Sequence, residues 1–238
     1  MFRGWFDCNY CLICHDRIES TLSWVDLFVP EQKEVVCYEC LTKLERIEGV
    51  KCQICMRSFL KLDAYYQKGE LCFDCYRWEE EPNYKGILTQ NYSLYSYNQF
   101  LKELIAKYKY RGDYVLAKIF ASEIEKKIKE MKPNYIIPIP LSEERIYERG
   151  FNQAEALILE AGFQSTNILT RIHSEKQSKK SRTDRIHLPQ VFHTTAQVTG
   201  KVMIIDDIYT TGSTLRHAAR VLKGIGANEI ISITIARG

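Results

Sequence analysis

The sequence predicts an α/β fold, a parallel sheet with helices flanking it, preceded by a small cysteine-rich domain. Two observations carry this. Eight of the nine cysteines fall into four Cys-x-x-Cys pairs, all within the first 75 residues. Further on, two short apolar runs, around Tyr135–Pro140 and Val202–Ile205, read as strands buried on both faces, and helical patterns follow them. The divisions expected are a metal-binding domain over 1–80, a linker over 81–97 and the α/β domain over 98–238.

Bulk properties fit this division. A chain of 238 residues holds one large or two small domains. Hydrophobic content of 45% with 26% charged residues is that of a globular protein, not a disordered one. A net charge of +3 is too mild to argue for nucleic acid by itself. No apolar run is long enough to span a bilayer, and Met1 to Cys8 holds no signal-peptide core, so a cytoplasmic protein without membrane insertion is expected. In a reducing compartment, paired cysteines point to metal rather than to disulfides.

The pairs are Cys11/Cys14, Cys37/Cys40, Cys52/Cys55 and Cys72/Cys75. Two residues between thiolates let one tight turn aim both sulfurs at a tetrahedral ion, and two such turns complete a closed four-sulfur shell. The gap between Cys55 and Cys72 fits zinc-ribbon spacing, and the longer one between Cys14 and Cys37 is within reach of a hairpin. Two zinc ions filled in sequence order are expected; an interleaved assignment and iron–sulfur ligation stay open. Closed shells leave no position for water, so these sites read as structural.

After the polar linker, Asn98 opens a helix with Phe100, Leu101, Leu104, Ile105 and Tyr108 on one face and Lys102, Lys107 and Lys109 off it. Arg111-Gly112-Asp113 interrupts the chain, and Asp113 suits the cap of a second helix with a stripe from Leu116 to Ile128. Beyond the strand at Tyr135, Arg145 and Arg149 fall where ligands sit in α/β sheets, and their guanidinium forks suit pyrophosphate oxygens. With Glu143, Glu144 and Glu148 nearby, a surface ion-pair face is the alternative. Asn152 to Ala161 reads as a helix, Asn167 to Thr170 as a short strand and Glu229 to Ala236 as the last strand. Between them, Arg171 to Arg185 carries Arg171, Lys176, Lys179, Lys180, Arg182 and Arg185 against only Glu175 and Asp184. Such a basic loop can fold over a pyrophosphate, grip a nucleic-acid backbone or simply be solvated.

The most informative stretch is Lys201 to Thr214, an apolar strand, then Asp206-Asp207-Ile-Tyr-Thr210-Thr211-Gly212-Ser213-Thr214, then a helical pattern. Unpaired amides at a helix start, with the positive end of its dipole, favour a phosphate. Gly212 allows close backbone approach, and Thr210, Thr211, Ser213 and Thr214 add hydroxyl donors. Asp206 and Asp207 would repel a phosphate but suit sugar hydroxyls, so a ribose 5-phosphate is the expected ligand.

This pattern resembles the phosphoribosyl pyrophosphate (PRPP) loop of type I phosphoribosyltransferases. The whole chain resembles the ComF family, through the cysteine pairs, Tyr110-Arg-Gly-Asp113, Pro138-Ile-Pro-Leu-Ser142, Glu148-Arg-Gly-Phe-Asn-Gln-Ala154, Lys176-Gln-Ser-Lys179 and Asp206 to Thr214. The resemblance implies a type I phosphoribosyltransferase-like sheet behind a zinc-ribbon-like domain, with PRPP and magnesium at Asp206–Thr214. It also implies a cytoplasmic role in natural transformation, handling single-stranded DNA beside the ComFA helicase-like ATPase, which the cysteine domain would dock. Lys176, Lys179, Lys180, Arg182 and Arg185, with Lys109 and Arg111, are the DNA contacts expected; Arg145 and Arg149 join the PRPP set. The alternative is an active phosphoribosyltransferase, for which no acceptor-recognising segment is evident. An adaptor that senses nucleotide metabolites is a third option.

Overall fold

The computed structural model describes residues 10–18, 34–60, 62–171 and 191–238. In the first cysteine site the chain turns at Cys11, whose N–H donates to Asp16 O (2.8 Å), while His15 N–H donates back to Cys11 O (2.9 Å) and adopts a positive φ of 67°. Cys37 then N-caps the short helix α1 (Tyr38–Thr42). The second site repeats the plan. Cys52 N–H donates to Arg57 O and Met56 N–H to Cys52 O, both at 2.9 Å, with Met56 at φ 59°. A small hairpin, β1 (Gln67–Lys68) and β2 (Leu71–Cys72), delivers Cys72 as the N-cap of α2 (Phe73–Glu80).

Among the described residues the central sheet has four strands, all parallel. Its order is β3 (Gln90–Ser96), β8 (Ala227–Arg237), β7 (Gly200–Tyr209) and β4 (Tyr135–Pro138). β3 lies inside the range read from sequence as a linker. Its inward side chains include Asn91 and Ser93, which bond to Ser232 and Thr234 of β8, so a polar stretch is buried without cost to unpaired groups. Helix α3 (Gln99–Tyr110) is capped by Asn98, which accepts from Leu101 N–H, and buries Leu101, Leu104, Ile105 and Tyr108 as its stripe predicts. Asp113 stands before a 3₁₀ turn (Tyr114–Ala117) with no side-chain cap, and α4 (Lys118–Met131) follows directly. α5 (Glu143–Arg149) starts from the Ser142 cap and buries none of its residues; α6 (Gln153–Glu160) starts from Asn152. The short antiparallel strands β5 (Thr170–Arg171) and β6 (Phe192–His193) bracket the basic segment 172–190, which lies outside the described residues. α7 (Ser213–Gly224) joins β7 to β8.

The sheet separates two cores. On one face Met203, Ile205, Ile231 and Ile233 pack with α3, α4 and α6, and Cys11 and Cys40 belong to that cluster. On the other face Val202, Ile204 and Ile230 pack with Ala218, Ala219 and Leu222 of α7, together with all four cysteines of the second site. Apolar burial, at about 25 cal/mol per Å², ties each cysteine site to its own side of the sheet. Among the described residues no helix is long and apolar enough to cross a membrane.

Candidate phosphate loop and cysteine sites

β7 runs through Asp206 and Asp207 to Tyr209, beyond the end of β4, whose Pro138 faces Ile205. The two carboxylates therefore leave the sheet at its carboxyl edge, where α/β folds bind ligands. Thr210, Thr211 and Gly212 make the turn into α7, and Gly212 is the N-cap at φ 78° with no side chain capping the helix. Any Cβ there would collide with the Tyr209 hydroxyl, so glycine is required on both grounds. The first turn of α7 has no carbonyls of its own helix for its N–H groups, which together with the dipole favour an anion. Thr210 is exposed, Thr211 buried, and Ser213 and Thr214 half-buried, so the hydroxyls do not all face one way.

Cations outnumber acids around this loop. The Lys109 ammonium sits 2.5 Å from Asp207 Oδ2. Lys109, expected among DNA contacts, is thus set against the loop's second acid by α3, with its side chain only 16% exposed. Burial first, and the neighbouring Asp207 second, push the Asp206 carboxyl up to about 7, while Lys109 and Arg171 pull the other way. Arg171 is held below its ordinary value by burial and by Arg145 and Arg149, with Asp206 opposing. Three guanidiniums therefore act on one neighbourhood with Asp206. Arg145 is exposed; Arg149 donates to Gln153 Oε1 (2.9 Å), lies over the Tyr110 ring at 5.6 Å, and its buried Nε finds no acceptor among the described residues. Guanidiniums gathered around Arg171, beside Asp206, suit a ligand that is anionic at one end and hydroxylated at the other. Arg171, read from sequence only as part of the basic segment, joins this group because β5 carries it there. Arg111 is exposed at the end of α3, and Lys176, Lys179, Lys180, Arg182 and Arg185 lie outside the described residues.

The cysteines gather as Cys11, Cys14, Cys37 and Cys40, and as Cys52, Cys55, Cys72 and Cys75, each set with its sulfurs within 4.8 Å of one another. The grouping follows sequence order. Cys14 and Cys37 Sγ are 3.7 Å apart, Cys55 and Cys72 Sγ 3.5 Å. A tetrahedral zinc with Zn–S near 2.3 Å needs sulfur separations of roughly 3.8 Å, so both donor sets fit zinc. The second set is entirely buried, whereas Cys14 is exposed.

That second set lies under the loop. Arg237, the last residue of β8, donates from Nε to Cys55 Sγ (3.1 Å) and from Nη1 to Thr210 O (2.8 Å) and Tyr209 O (3.1 Å). Trp78 of α2 donates to Thr211 O (2.7 Å), and buried Arg216 of α7 reaches the Tyr209 hydroxyl (2.5 Å) and Glu79 (3.3 Å). Sequence reasoning missed Trp78, Arg216 and Arg237; the partners lie far apart in the chain, and no local pattern signals them.

Comparison with known proteins agrees with this geometry. The family model for the phosphoribosyl transferase domain matches residues 146–238. Competence protein ComFC of Bacillus subtilis is 36% identical over 233 residues, covering 95% of this chain and 94% of that protein. Competence protein ComFC of Streptococcus pneumoniae is 31% identical over 230 residues, covering 95% and 99%. DNA utilization protein YhgH of Escherichia coli O157:H7 is 35% identical over 106 residues, 41% of this chain and 47% of its own length.

Proposed function

Because the chain belongs to the ComFC family of competence proteins, we propose that it serves DNA uptake in natural transformation, in the cytoplasm, binding single-stranded DNA and holding PRPP in the Asp206–Thr214 loop. The observation that carries the pocket is the meeting of Asp206 and Asp207 with Lys109, Arg171, Arg145 and Arg149 beside an uncapped helix start. Asp206 and Asp207 accept from the ribose hydroxyls, the loop amides and Thr or Ser hydroxyls bind the 5-phosphate, and the guanidiniums take the pyrophosphate with its magnesium. Asp207 is paired with Lys109, so Asp206 carries the larger share of this work.

DNA binding rests on Lys176, Lys179, Lys180, Arg182 and Arg185 together with Arg111, through phosphate contacts that release counterions. Two exposed aromatics add to this: Tyr110, 70% exposed beside Arg149, and Tyr147 of α5, 93% exposed, are faces on which bases can stack. The first cysteine site, open at Cys14, is the surface offered to the ComFA ATPase.

The test is calorimetric titration of PRPP with Mg²⁺ into the wild type and Asp206→Ala/Asp207→Ala, with oligonucleotide binding measured across salt. Wild type binds PRPP and the double variant does not. Lys179→Glu/Lys180→Glu/Arg182→Glu loses DNA affinity and flattens the salt slope. DNA binding indifferent to salt and to that charge reversal overturns the DNA assignment. The second reading, transfer of ribose 5-phosphate to an acceptor, is favoured by the same cations, which would stabilise departing pyrophosphate. Pyrophosphate release with some base in a panel supports it, and silence across the panel removes it.

A further inference from the structure

The second cysteine site and the phosphate loop share their hydrogen bonds. Three successive loop carbonyls are held from below: those of Tyr209 and Thr210 by Arg237, and that of Thr211 by Trp78, three residues after Cys75. The same Arg237 contacts Cys55 Sγ at 3.1 Å through Nε, and the Tyr209 hydroxyl lies 3.7 Å from Cys75 Sγ. In a trans peptide the N–H points opposite to the C=O. Drawing these carbonyls toward the cysteines therefore turns the N–H groups of Thr210, Thr211 and Gly212 away from them, to the side where a phosphate would lie. A guanidinium is planar and rigid, so its hold on sulfur and on carbonyl oxygen cannot vary independently. Four thiolates around one divalent ion keep a net negative charge, which the buried Arg237 and Arg216 offset. The first site makes no such contact with the loop among the described residues.

We propose that Arg237 is a positioning residue that couples the second metal site to the phosphate loop, so that sugar-phosphate affinity depends on the ion at Cys52, Cys55, Cys72 and Cys75 and not on the ion at Cys11, Cys14, Cys37 and Cys40. The inference rests on reading Asp206–Thr214 as a PRPP loop. It gives the second site a role beyond stability: it sets the direction of the amides that meet the ligand.

The test uses full-length protein loaded with Co²⁺, with Cys11→Ser/Cys14→Ser added so that cobalt occupies only the second site. PRPP with Mg²⁺ is titrated while the thiolate-to-cobalt charge-transfer band is followed, and affinity is measured in parallel by calorimetry. PRPP moves the band, with a midpoint matching the calorimetric Kd, and Cys11→Ser/Cys14→Ser alone changes affinity less than about twofold. Arg237→Met retains cobalt, binds PRPP roughly tenfold or more weakly, as loss of a charge-assisted bond implies, and its band no longer responds. Arg237→Lys keeps the charge without the fork and falls between. If Arg237→Met does not fold, Tyr209→Phe removes only the hydroxyl facing Cys75 and Arg216, and a shifted band with weaker PRPP binding is expected. A band indifferent to PRPP, with Arg237→Met or Tyr209→Phe binding as tightly as the wild type, overturns the proposal. No PRPP binding by the wild type instead overturns the loop reading and the coupling with it.

Discussion

Cys11–Cys14 and Cys52–Cys55 bend through the same turn, each followed by a residue at positive φ, and Cys37 and Cys72 each open a helix as its N-cap. Around the first set the protein thins out: Cys14 is exposed, and Tyr38 and Leu41 of α1 are 80% and 48% exposed. Around the second set everything is filled, by Trp78, Arg237, Tyr209 and the apolar face of α7. The same Cys-x-x-Cys turns gather both sets of sulfurs, and the neighbours decide what each set is for. One site is half in a core and open at Cys14, whereas the other lies wholly inside one.

The largest difference is expected in stability. Cys72→Ser opens a buried shell, where the binding energy of a zinc ion would be folding energy. A Tm lowered by about 10 °C or more is expected, since each kcal/mol moves Tm by about 2–4 °C at this size. Cys14→Ser is expected to cost about 3 °C or less. Equal losses by calorimetry would erase the distinction between the sites.

Chelation sharpens the comparison next. With EDTA and a colorimetric zinc dye, one equivalent leaves from the first site and the second at least tenfold more slowly, because it waits on opening of the core. Release of both ions in one phase would contradict this.

The loop above the second site carries a pH signature. Asp206, at about 7 in the folded protein, lies above the ordinary carboxyl value of about 3.9. The folded state holds that proton more tightly, so the stability this group contributes is present at low pH and lost as pH rises from about 4 to about 7. Asp206→Asn removes the effect and is expected to gain more Tm over the wild type at pH 8 than at pH 5. A gain independent of pH would reject the raised value. Trp78→Phe loses the bond to Thr211 O and leaves part of the buried indole's space empty, so about 2 kcal/mol, or roughly 4–8 °C, is expected in a thermal melt.

What sequence could reveal depended on contiguity. Asp206 to Thr214 is a single run whose chemistry is readable residue by residue, and the Cys-x-x-Cys pairs advertise themselves. The α3 stripe was legible because one face is apolar and the other is not. β3 was not: its buried Asn91 and Ser93 are satisfied across the sheet by Ser232 and Thr234, so the strand reads as polar linker. α5 was missed because it buries nothing and so has no stripe, only the Ser142 cap. Lys109 read as a DNA contact among several lysines off the α3 stripe until the fold put Asp207 against it. Arg237, Arg216 and Trp78 act across separations of 133 to 182 residues, which only the fold closes.

Everything proposed about function turns on whether the backbone between Asp206 and Arg216 is where a sugar phosphate binds. Amide hydrogen exchange of the peptide spanning these residues, with and without saturating PRPP and Mg²⁺, tests this directly. The account predicts slower exchange in this peptide on adding PRPP, and no change in Asp206→Ala/Asp207→Ala. Unchanged exchange there, with protection appearing in some other segment, would contradict it.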